Sequence, residues 1–104
     1  MSWYAVRNLY HFGVKKSGTN VFEERIVCIH AKDFEEAHKK GKEESEAYAL
    51  ENEFEAHNEQ HAYKQDGKKL IDGYELWSEL YESDLSLDEF YKEHYLKYMY
   101  APDE

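Results

Sequence analysis

A chain of 104 residues with 41% hydrophobic and 35% charged side chains is long enough for one modest core and too apolar for intrinsic disorder. Its formal net charge of -10 opposes contact with phosphate backbones and anionic lipids, which excludes direct nucleic-acid and membrane binding as first expectations and favours cationic protein partners. The apolar runs are short, as at Ile26-Val27-Cys28-Ile29, so no transmembrane span is expected, and the opening MSWYAVRNLY lacks the cationic-then-apolar order of a signal peptide.

Trp3 to Phe12 reads as a strand, with Tyr4, Val6, Tyr10 and Phe12 on one parity and Trp3, Ala5 and Leu9 on the other. Gly13 to Asn20 is a glycine-bearing connection, and Val21 to Ala31, rich in β-branched residues, is a second strand that closes a hairpin. On that strand Phe22, Ile26, Cys28 and His30 share one face, and Glu23, Arg25, Val27, Ile29 and Ala31 the other. A Glu23–Arg25 surface pair along the second row is expected to carry little energetic weight. Cys28, between Val27 and Ile29, reads as a small buried residue. As the single cysteine it forms no internal disulfide, which suits a reducing cytoplasm.

Asp33 followed by Glu36 is a capping box, so Phe34-Glu35-Glu36 is a first helical turn with its acids at the positive end of the helix dipole. The helix is expected to run to about Leu50, with an inward stripe of Phe34, Ala37, Gly41, Ser45 (or Glu44) and Tyr48. Gly41 costs about 1 kcal/mol relative to Ala inside a helix, a cost that close packing on a sheet offsets. Glu51 to Gln65 has no β-branched residue, and Phe54, His57 and His61 keep a helical spacing, which favours continued helix over strand. Asp66-Gly67 is a turn; a short strand is expected from Lys68, then, past Gly73, helix or irregular chain to Leu80. Ser86 to Glu89 is a second capping box, opening a helix to about Tyr98, and Ala101 to Glu104 should fray. The fold class is therefore α+β in a single domain over residues 1–104: an antiparallel sheet with an N-terminal β-hairpin and a long helix packed on it (the 1–50 unit), then a short strand and a helical, aromatic-rich C-terminal region (66–100).

Trp3-Tyr4-Ala5-Val6-Arg7, then Phe22-Glu23-Glu24-Arg25-Ile26-Val27, then Ala31 and Phe34-Glu35-Glu36-Ala37, resemble the small bacterial family catalogued as domain of unknown function 4288. The likeness covers about the first half of the chain; Tyr74-Glu75-Leu76 resembles a later element of that family, and the stretch after Asp84 departs from its pattern. The resemblance implies an α+β fold and a bacterial or phage origin. It implies no mechanism.

Few residues here nominate a reaction. His57 and His61, four apart, would share a helix face and are weak metal-ligand candidates, but Asn58 stands where a zinc-protease motif needs Glu. The paired acids Glu23-Glu24, Glu35-Glu36, Glu43-Glu44 and Asp88-Glu89 follow from composition, Ser17 lacks a nucleophile-elbow context, and the glycines form no phosphate-cradling loop. The expectation is a protein that is not an enzyme, with no cofactor and no metal. The unusual feature is the last third, where tyrosines alternate with acids. Tyr74, Tyr81, Tyr91, Tyr95 and Tyr98, with Glu82, Asp84, Asp88 and Glu89, form a candidate partner-binding surface, while Trp77 and Phe90 are expected in the core. Rigid rings give contact area at small entropic cost, and acids steer a basic partner. The first reading is an immunity protein or antitoxin, bacterial and cytoplasmic, that neutralises a basic toxin such as a nuclease; a phage-encoded inhibitor of a host nuclease would look alike. The second is a structural or regulatory module that self-associates, as a homodimer, through an edge strand of the hairpin.

Overall fold

The computed structural model of the protein describes residues 1–67 and 72–102. Strand β1, Ser2–Val14, turns through Lys15 to Thr19 into β2, Asn20–Ala31. Gly18 makes the turn, since its φ of 90° is one that L side chains rarely adopt. The register pairs Ser2 with Ala31 and Val6 with Val27 and slips once, at a bulge between His11 and Gly13. Helix α1, Phe34–Asn52, then carries the chain across the sheet to β3, Glu55–Lys64, which pairs antiparallel to β1 from the other side. The sheet order is β2-β1-β3, so β1 is central. A short helix α2, Leu87–Tyr91, and a single π-type turn at Lys92–Leu96 follow after an irregular stretch.

The capping box forms with one change. Asp33 Oδ1 accepts the Glu36 N–H at 2.8 Å, while the Glu36 carboxylate reaches past Asp33 to the Lys32 N–H at 3.2 Å. That backbone donor holds the Glu36 carboxyl below its usual range. The helix buries Ala37, Gly41, Ser45 and Ala49, a spine of small residues four apart. Even-numbered β1 side chains meet it. Tyr4, Val6 and Tyr10 are the largest fully buried side chains, Tyr4 stands edge-on to Phe34, and the Tyr10 hydroxyl shares a 2.8 Å hydrogen bond with Ser45. The expected stripe is shifted at its ends: Phe34 stays half exposed at the helix mouth, and Ala49 takes the innermost place expected of Tyr48.

Gly41 earns its place through two neighbours. An added Cβ would lie 2.8 Å from Val6 Cγ1 and 3.1 Å from the Gln60 amide. With its nitrogen turned to the helix, that amide donates to the His38 carbonyl at 3.1 Å and to His38 Nδ1 at 2.9 Å, and its oxygen accepts from the Lys42 N–H at 3.2 Å and from Asn8 Nδ2 at 3.3 Å. Gln60 thus bridges a helical hydrogen bond from outside, where only a missing side chain lets it approach.

Four expectations fail here, each for a local reason. Residues Glu55–Lys64 form a strand, not a helix: Glu53 adopts a left-handed φ of 58° and its N–H caps the Ala49 and Leu50 carbonyls, which stops α1, and Phe54 then packs on Phe12 and Tyr48. Arg25 does not pair with Glu23. It makes a two-pronged contact with Glu44 at 2.6 and 2.8 Å and lies over the Tyr48 ring, whose hydroxyl donates to Glu23. Cys28 is exposed, because alternation sends Val27 and Ile29 to the helix side and Cys28 to the other. Trp77 and Phe90 are half-buried and lie outside the core cluster of Tyr4, Val6, Ala31 and Ala37. The short strand expected from Lys68 falls on residues 68–71, outside those described, as do Asp103 and Glu104 of the expected frayed end. No helix among the described residues is long and apolar enough to cross a membrane.

Candidate protein-binding face

The sheet face turned away from α1 carries the odd-numbered side chains of β1, and the chain beyond Tyr74 docks against it. Two contacts hold that segment. Arg7 makes a paired hydrogen bond with Glu79 at 2.7 and 3.2 Å, and its guanidinium sits 4.6 Å from the centre of the Trp77 ring, which packs on Tyr63 of β3. Trp77 Nε1 is buried without a hydrogen-bond partner among the described residues. Beside the docked chain Trp3, Ala5, Ile26, Cys28, Tyr74 and Leu76 line a largely apolar groove of about 550 Å³.

The Arg7 hydrogen bonds, with help from the Tyr81 hydroxyl, hold the Glu79 carboxyl at about 2, below its ordinary 4.5. A carboxyl lowered on docking stabilises the docked state fully above pH 4.5 and loses that contribution as the pH falls toward 2. The segment is therefore expected to loosen from the sheet over that acid window. The shift of the Trp77 indole resonance by NMR should follow it, and Glu79→Gln, with no carboxyl to titrate, should remove the transition.

The structure separates the candidate residues into three sets. Tyr74 stands apart, half-buried, its hydroxyl accepting the Gly67 N–H, so its phenol is engaged within the fold. Tyr81 (52% exposed), Tyr91 (46%) and Tyr95 (63%) come together with Phe90 around His94: the His94 ring stacks on Phe90 and lies 4.9 Å from Tyr81 and 5.1 Å from Tyr95, and Tyr91 meets Tyr95 edge-on. Tyr98, 82% exposed, extends past the end of the turn with Lys97 Nζ over its ring. The phenols are thus surface groups, and neighbouring Glu79 pushes the Tyr81 hydroxyl up.

The acids behave unequally. Ser86 caps α2, accepting from the Glu89 N–H at 3.2 Å and donating to the Glu89 carboxylate at 3.0 Å; Asp88 pairs with Lys92 at 2.9 Å and Glu93 with Lys97 at 2.8 Å. Glu82 and Asp84 are exposed with no ion-pair partner among the described residues. From Asp72 to Pro102 there are eight carboxylates against two lysines, a net of -6, whereas residues 1–71 hold thirteen acids against eleven bases, a net of -2. Anionic charge is therefore gathered on the segment that bears the exposed rings. The sequence reading missed Arg7 and Glu79, which fasten that segment, and His94, which its rings surround; no spacing rule links residues 72 positions apart.

His57 and His61 do not share a helix face. They lie on β3, where Asn8 pairs with Gln60 and Tyr10 with Ala56, so residues 57 to 59 bulge opposite Leu9, and His57 Nδ1 accepts the Glu59 N–H at 3.1 Å. Among the described residues no three or more His, Cys, Asp or Glu converge to hold a metal ion.

Residues 3–86 match the model of the family described as "Domain of unknown function (DUF4288)". No curated protein and no solved structure matches the chain.

Proposed function

The chain belongs to the DUF4288 family, whose description carries no activity, and from its own surface we propose that it is an acidic protein-binding inhibitor: a cytoplasmic immunity protein or antitoxin, without catalysis of its own, that covers the cationic active site of a basic toxin, a nuclease above all. One observation carries this reading: exposed Tyr81, Tyr91, Tyr95 and Tyr98 stand on the part of the chain where the net charge is concentrated. A nuclease must attract phosphate, so its cleft is positive, and carboxylates fastened on a folded scaffold can occupy that cleft in place of a nucleic acid. Electrostatic steering of this kind raises association rates by about 10–10³-fold. Exposed tyrosines then supply the buried contact area on which affinity depends.

The test is affinity capture of cationic proteins from the source cell, followed by kinetics with the captured nuclease. The variant Glu82→Gln/Asp84→Asn/Asp88→Asn/Glu89→Gln should associate at least about tenfold more slowly at low salt, and Tyr95→Ala with Tyr98→Ala should speed dissociation. Binding that ignores both the charge changes and added salt would remove the reading.

A further inference from the structure

We propose that β2 is also a docking edge for a second copy of this chain, the two β2 strands pairing antiparallel about a two-fold axis at Cys28. This rests on the sheet and does not depend on the inhibitor reading. Strand β2 is one margin of the sheet, twelve residues without proline or lysine. The other margin, β3, carries the devices that discourage strand addition, a bulge at residues 57 to 59 and a lysine at position 64.

The free edge can be read rung by rung. The Trp3 carbonyl accepts the Gln65 N–H at 2.9 Å, so odd-numbered β1 residues bond toward β3 and even-numbered ones toward β2. Tyr4, Val6 and Asn8 therefore engage Ile29, Val27 and Arg25, and the amides and carbonyls of Glu24, Ile26, Cys28 and His30 point outward. Lys40 confirms the direction from outside: its Nζ lies 2.9 Å from the His30 carbonyl.

Residues facing one another across an antiparallel pair share a face, and a two-fold axis passes through one residue and its equivalent, a hydrogen-bonded pair where that residue points outward and a non-hydrogen-bonded pair where it points inward. Centred on the inward Arg25, the pair sets two guanidiniums opposite, and centred on Val27 it sets Arg25 against Ile29 and Glu23 against Ala31. Centred on Ile29 or His30 it engages only residues 27–31 or 29–31 of β2, against 25–31 on Cys28. Centred on Glu24, the pair sets two carboxylates directly opposite, and centred on Ile26 it sets Arg25 against Val27 and Glu23 against Ile29; like charges and mismatched pairs both weaken a sheet. Both registers also use the start of β2, where Tyr100 flanks Val21 and Phe22. Centred on Cys28, the pair sets Val27 against Ile29 of the copy and Glu24 against Lys32 of the copy. Val27 and Ile29 are partly buried residues packed on the core cluster, so the copy's strand extends the core across the seam. The Lys40 ammonium gives up the His30 carbonyl to the Ile26 amide of the copy. The near-neutral 1–71 unit adjoins the axis, which keeps the repulsion between two anionic chains low.

Sedimentation equilibrium of the full chain should give twice the 12.5 kDa mass. At the axis the two Cys28 Cα atoms stand about 5.5 Å apart, within disulfide reach. Diamide should then take one proton and one electron from each thiol, two of each in all, leaving one S–S bond between copies and the hydrazine form of diamide. Cys28→Ser should keep the dimer and lose the bridge. Cys28→Lys, which sets two cations opposite each other on an exposed position, should give a monomer with unchanged circular dichroism. A monomer at the highest soluble concentration overturns the proposal, as does a dimer that diamide does not bridge and Cys28→Lys does not split. Should Cys28→Lys fail to fold, the mass and bridging of the unaltered chain decide.

Discussion

Tyr4→Ala is expected to lower the unfolding free energy by about 3–5 kcal/mol, the range for deleting a buried aromatic ring. The Tyr4 side chain is 2% exposed, stands edge-on to Phe34 across the helix–sheet seam, and belongs to the same cluster as Val6, Ala31 and Ala37. Domains of this size hold about 5–15 kcal/mol in all, so the variant gives up roughly a fifth or more of what keeps it folded. Urea denaturation measures the loss, and Tyr4→Phe, which keeps the ring, should retain most of the stability. A loss below about 1 kcal/mol would mean that the core does not lie on this face of β1.

Gly41→Val is expected to cost about 3 kcal/mol. Overpacking a tight site costs about 1–3 kcal/mol, and here the Cβ alone would stand 2.8 Å from Val6 Cγ1, on a side chain that is itself fully buried. The same Cβ displaces the Gln60 amide, leaving Asn8 and His38 with lost partners at about 1–3 kcal/mol for a buried unsatisfied group. Ala in place of Gly gains about 1 kcal/mol of helix propensity, so Gly41→Ala should lose less than Gly41→Val. A Gly41→Ala variant more stable than the natural chain would refute the close approach of helix to sheet.

Local chemistry made the hairpin, both caps and the small-residue spine of α1 legible, because alternation, a capping box and a four-residue period each act over a few residues. Strand β3 was illegible for the converse reason. Apart from Tyr63, Glu55–Lys64 holds no residue that favours a strand by propensity; the segment is extended because β1 offers it hydrogen bonds and because Gln60 fits the notch at Gly41. The stop between helix and strand was faint as well, since a left-handed Glu53 replaces the glycine that commonly marks such ends. Cys28 was misread because its apolar neighbours lend their character to sequence position and not to strand face. Of the candidate surface, the exposure of Tyr81, Tyr91, Tyr95 and Tyr98 was open to sequence reasoning through their company of acids. The Arg7–Glu79 fastening that presents them joins residues too far apart for any pattern to reveal.

Both tryptophans lie on one side of the sheet, Trp3 stacked on His30 and Trp77 against Tyr63, while the side under α1 is built on tyrosine, valine and alanine. Indole emission is therefore a one-sided reporter: it registers the coming and going of the acidic segment, whereas far-ultraviolet ellipticity registers α1. A thermal melt in which emission shifts before ellipticity falls would make the segment a separately yielding layer. Coincident curves would weld it to the rest as one cooperative body.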